Sequence, residues 1–119
     1  MHQEIKRRVS ELTHGFFRGK LRLAPQSVEV GDMEDTLVVR VKGFLAQGER
    51  AMMDQPNDRQ VIEDYYLRLL DQIAPLMRTG VGEAGPLLKF QTLLDLPKDE
   101  CVFILTLGKE GEVTWVDSP

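Results

Sequence analysis

At 119 residues the chain has room for one domain, and 42% hydrophobic with 29% charged residues is the make-up of a globular core, not of a disordered polymer. A single cysteine, Cys101, excludes an internal disulfide and points to a reducing compartment; no apolar run approaches the ~18 residues of a membrane span and no signal-peptide-like start is visible, so a soluble cytoplasmic protein is expected. The net charge of −4 is unevenly placed: residues 1–24 sum to +4 and the rest to −8, which excludes a phosphate-tracking nucleic-acid surface over the whole domain and leaves a basic N-terminal end able to meet an anionic partner.

The first segment reads as an amphipathic helix. Ile5, Val9, Leu12 and Phe16 recur at spacings of four, three and four, with Gly15 and Gly19 as stop signals. Residues 27–30 and 36–41 alternate with a period of two around a turn at 31–35, so a hairpin is expected, with Leu37, Val39 and Val41 on its core side and Val38, Arg40 and Lys42 on the other. A short helical turn is expected at 49–53. Asn57 and Gln60 resemble a capping box ahead of a long helix carrying Val61, Ile62, Tyr65, Leu69, Ile73 and Leu76 in one stripe, and Pro75 predicts a kink or an early end.

Residues 79–86 form a glycine-rich connection. Leu88, Phe90, Thr92 and Leu94 then alternate with Lys89, Gln91 and Leu93 as a half-buried strand, and 101–105 is an unbroken apolar run suited to a central strand covered on both faces. Residues 112–115 suggest a short edge strand. The resulting expectation is an α+β fold, an antiparallel sheet of about four strands in α-ββ-α-ββ order with helices packed on it, in one domain spanning 1–119 with its core at 3–107 and a C-terminal extension at 108–119. A strand run apolar on both faces, with few helices to cover it, further predicts a homodimer.

Motifs that carry chemistry are sparse. Gly80-Val81-Gly82-Glu83-Ala84-Gly85 satisfies G-x-G-x-x-G, but a helix precedes it and a strand follows. That is the reverse of the dinucleotide-binding context, and a helix stop with a turn is the better reading. His2 and His14 are the only histidines, and no Cys/His spacing resembles a zinc site, so neither a metal nor another cofactor is expected. Cys101 reads as a buried, inert thiol. Asp64 and Asp71 share a side of the long helix and read as its solvated face, and Asp95 reads as an Asx-type cap before Leu96-Pro97. The exposed sheet face carries Arg40, Lys89 and Gln91 without aromatics, which argues against RNA binding there.

Several short stretches resemble the MpsC-like group of small bacterial domains, whose name derives from a Na+-translocating, membrane-potential-generating system. Ala24-Pro25-Gln26-Ser27-Val28 is similar to its Gly-Pro-x-Ser-Val entry to the first strand, and residues 45–52 to its Leu-Thr-Pro-Ala-Glu-Lys-x-Leu segment, with Ala46 and Gln47 in place of Thr-Pro. Residues 58–61 resemble the start of its long helix, and Leu94-Asp95 with 102–105 its Ser-Asp turn and closing strand. The resemblance implies a non-enzymatic accessory or interaction module of a membrane-associated cation-transport system, with Glu49, Arg50, Arg59 and Asp95 as motif residues to watch. The alternative is a dimeric, small-ligand-sensing domain. On the basic helix, Arg7, Arg8 and Phe17 are candidates for engaging a membrane protein or an anionic membrane surface, which makes the expected location cytoplasmic and peripheral to the membrane.

Overall fold

A computed structural model describes residues 2–82 and 85–108. Helix α1 (His2–Gly19) leads into the hairpin β1 (Ser27–Met33) and β2 (Thr36–Lys42); α2 (Gln47–Ala51), α3 (Pro56–Leu70) and α4 (Ile73–Gly80) follow. Strand β3 (Leu87–Asp95), a 3-10 turn (Leu96–Lys98) and β4 (Glu100–Leu107) complete the order. The four strands form one antiparallel sheet in the order β1-β2-β4-β3. The expected α+β architecture is present, and the apolar run from Cys101 onward is an inner strand.

The helices settle on one face because the alternation supplies only one. Leu37, Val39 and Val41 of β2 and Cys101, Phe103, Leu105 and Leu107 of β4 are buried, as expected from a period of two. Helix α1 lies over β1 and β2, α3 and α4 lie over β3, and α1 touches α4. The expectation that 101–105 is covered on both faces is therefore corrected, since burial along β4 alternates and Val102 and Ile104 are only half-buried on the far side.

Local differences have local causes. Gly15 lies inside α1, which runs on to Gly19, because Phe16 and Phe17 are both buried and anchor the last turn. The hairpin turn is only Glu34-Asp35, with Met33 paired to Thr36, and Gly31 is within β1. The short helix begins at Gln47, not Glu49. Helix α3 starts at Pro56, whose missing N–H suits a first helical turn, so Asn57 and Gln60 form no capping box. The long helix is two, broken at Asp71-Gln72, and Pro75 falls in the first turn of α4. The buried stripe is Ile62, Tyr66, Leu70, Ile73 and Met77; Ile62 and Ile73 belong to the expected one, while Val61, Tyr65 and Leu76 are exposed. An irregularity between Leu87 and Lys89 shifts the register of β3, leaving Leu88 exposed and Leu87 against the core. The expected strand at 112–115 and part of the glycine-rich connection, residues 83 and 84, lie outside the described residues.

Candidate interaction surface

Two features stand out from this frame, a polar tie under one end of the sheet and the sheet face left uncovered by the described residues. The tie is built on Asp99, which adopts a left-handed backbone (φ 53°) between the 3-10 turn and β4. Its Oδ1 accepts hydrogen bonds from the amides of Phe44 and Leu45, both at 2.9 Å, and its Oδ2 lies 3.0 Å from Arg50 Nη2. Gly43 donates to the Asp99 carbonyl at 2.8 Å and is itself at φ 68°, where a Cβ would meet the Gln26 side chain at 2.5 Å. Beside it, Glu49 Oε1 accepts from Tyr66 Oη at 2.7 Å and from the Ala46 amide at 3.0 Å. Tyr66 is 2% exposed, and its hydroxyl is pushed well above its ordinary range by burial first and then by the hydrogen bond to Glu49. Edge-to-face aromatic contacts run from Phe16 through Phe17 and Phe44 to Tyr66, with centroids 5.9, 5.5 and 5.4 Å apart, and join α1 to this tie.

The structure thus brings Glu49 and Arg50 together, with Asp99 and Tyr66 as their partners. Arg59 sits half-buried in the first turn of α3, outside the tie. Asp95 accepts from the Lys98 amide at 3.3 Å and caps the 3-10 turn, the Asx role its place before Leu96-Pro97 suggests. Ala46 is the N-cap of α2, with extended backbone and no side-chain cap bond. Glu49 therefore makes its half of a reciprocal cap, while the other half, which a Thr would supply, is missing. The signal for Asp99 in sequence was only a polar residue closing a Leu-Pro-Lys turn.

Each candidate on α1 has a structural use. Lys6 Nζ pairs with Asp32 at 3.1 Å, Arg7 Nη1 with Glu11 at 3.1 Å, and Arg8 Nη1 donates to the Gly80 carbonyl at 3.0 Å, at the end of α4. Phe17 is fully buried, so the expectation that it reaches a partner is corrected. Cys101 is 1% exposed, and burial pushes its thiol far above the usual range. Among the described residues, no group of three or more His, Cys, Asp or Glu is placed to hold a metal ion, and no helix is long and apolar enough to cross a membrane.

On the uncovered face the pairing registers set side chains in rows across the strands. Val38, Val102 and Ile104 form a half-buried apolar centre, extended by Leu93 at 55% exposure. Lys42 and Glu100 close one end of this centre, and Arg40, in the row of Val102, sets its Nε 3.2 Å from Glu100 Oε1.

These features define a two-layer α+β domain whose helices cover one sheet face and whose other face is apolar at the centre and charged at the rim. The chain belongs to the MpsC family, whose model, described as Na+-translocating membrane potential-generating system (MpsC), matches residues 1–109. No curated protein and no solved structure matches it.

Proposed function

We propose that this chain is a non-enzymatic accessory module of a membrane-associated, Na+-translocating system, and that it works by holding a protein partner on the uncovered face of its sheet. The family description supports the system. The binding role is carried by one observation: Val38, Leu93, Val102 and Ile104 lie together on the side of the sheet that no helix of the described residues covers, and an apolar centre with a charged rim is the anatomy of a protein interface. The non-enzymatic reading is supported by the use of the motif carboxylates Glu49 and Asp95 and of Asp99, which are engaged by amides, Tyr66 and Arg50.

Deleting the gene in its host should lower the Na+-dependent membrane potential read with a potential-sensitive dye. The wild-type chain should restore it, and Val102→Lys should not. An unchanged potential after deletion refutes the system, and full restoration by Val102→Lys refutes the face.

A further inference from the structure

We infer that the occupant of the uncovered face is the same face of a second copy, the two sheets stacked about a two-fold axis parallel to the strands. The inference rests on the reading of that face as the binding surface and names its partner.

The argument comes from the register of the two inner strands. Lys42 of β2 lies beside Glu100 of β4, Arg40 beside Val102, and Val38 beside Ile104. A two-fold axis parallel to the strands and centred between β2 and β4 exchanges these strands without changing rows. Lys42 of each copy then faces Glu100 of the other, and Val38 faces Ile104, each contact occurring twice as an isologous interface requires. An axis running across the strands would reverse the rows, setting Lys42 over Thr36 and Arg40 over Val38, and would oppose charges only on the outer strand, Lys89 over Asp95. On the two inner strands, then, only the axis parallel to the strands opposes charges and sets Val38 on Ile104, while Arg40 of each copy lies over Val102 of the other. Aligned packing of two twisted sheets at about −30° and ~10 Å separation is the usual geometry of a β-sandwich. Glu100 would then sit between Arg40 of its own chain, already 3.2 Å away, and the partner's Lys42.

Area sets the strength. Four strands at about 4.8 Å spacing and seven residues at about 3.4 Å rise give a footprint of roughly 450 Å² per copy. Pairing removes on the order of 1,000 Å² in total, the lower bound for a specific interface, so dissociation in the micromolar range is expected.

The test is sedimentation equilibrium of the full chain with variants, each checked by far-UV CD melting. Wild type should dimerise at micromolar concentration. Ile104→Lys should weaken pairing by about a hundredfold, because it buries two unpaired charges at the centre. Val38→Lys, on the neighbouring strand, gives the same readout should the first variant fail to fold. Lys42→Glu and Glu100→Lys should each weaken self-pairing by roughly tenfold, since both set two like-charge contacts across the axis. An equimolar mixture of those two variants should recover pairing to about the wild-type level, because each opposed pair becomes Glu with Lys again. Mixing leaves the cross-strand pair inside each chain unchanged, so only a contact between copies can respond.

The homodimer is overturned by a wild type that stays monomeric at high micromolar concentration. It is equally overturned by lysine variants that dimerise normally, or by a mixture no tighter than its components. A monomeric wild type whose Val102→Lys variant still fails to restore membrane potential removes the homodimer alone and assigns the face to another protein. A dimer in a chain whose deletion leaves the potential unchanged removes the transport role alone.

Discussion

Asp99 is the residue whose replacement should cost the fold most for its size. Its two bonds from the Phe44 and Leu45 amides are charge-assisted and partly buried, and losing them costs roughly 1.5 kcal/mol each. The Arg50 pair is half exposed on the arginine side and adds only about 0.5 kcal/mol after screening. Placing Ala at φ 53° adds about 1 kcal/mol, because a Cβ without a polar tip disfavours the left-handed region. Asp99→Ala should therefore lose about 4.5 kcal/mol, a large share of the ~5–15 kcal/mol that holds a domain of this size. Asp99→Gly removes the same bonds without the backbone penalty and should lie about 1 kcal/mol above Asp99→Ala. Asp99→Asn keeps a carbonyl oxygen for both amides and tolerates the left-handed region, so about 2 kcal/mol is expected. Urea denaturation resolves the series as shifts in midpoint at constant m. A loss below about 1 kcal/mol for Asp99→Ala, or Asn no better than Ala, would show that the amides find other acceptors and that the tie is incidental.

Two further outcomes follow from the same geometry. Ala46→Thr supplies the missing half of the α2 cap and should stabilise the chain by about 1 kcal/mol in urea; an unchanged midpoint would mean that the N-cap is already served by water. Cys101 and Tyr66 are acids held neutral by the fold, their ordinary values being 9.0 and 10.0, so above pH 9 the unfolded chain gives up protons that the native one keeps. Stability should then fall as pH rises, approaching about 1.4 kcal/mol per pH unit for Cys101 and steepening once Tyr66 joins above pH 10. Cys101→Ala should flatten the part between pH 9 and 10, and identical slopes there would contradict burial of the thiol.

The strands were legible because a period of two leaves little choice: Leu37, Val39 and Val41 can share only one face. The helical stripe was less so. Ile62 and Ile73 were placed correctly, but Val61, Tyr65 and Leu76 satisfy helical spacing as well as Tyr66 and Met77 do, and the Tyr66 hydroxyl bond to Glu49 lies across 17 residues, out of reach of local spacing. Leu88 was misplaced because a register shift at the start of β3 leaves no mark in the alternation. Glu49 and Arg50 were found through their motif, but Asp99 was not, since its partners Phe44 and Leu45 are 55 and 54 residues away. The rim charges of the uncovered face were visible as residue types; their opposition across the sheet needs the register.

The shift at the start of β3 also bears on how assembly stops. β1 and β3 are the two outer strands, and an outer strand with free amides invites another strand to add beside it. The irregularity between Leu87 and Lys89 disturbs the ladder at one end of β3, and Lys89, exposed beside it, adds a charge that discourages further pairing. On the opposite flank, Asp32 of β1 is tied to Lys6 of α1. Both margins hinder lateral growth, which leaves stacking as the arrangement open to the proposed pair. Such a pair, related by a two-fold axis, uses the same face on both copies and so closes on itself instead of propagating into a fibre.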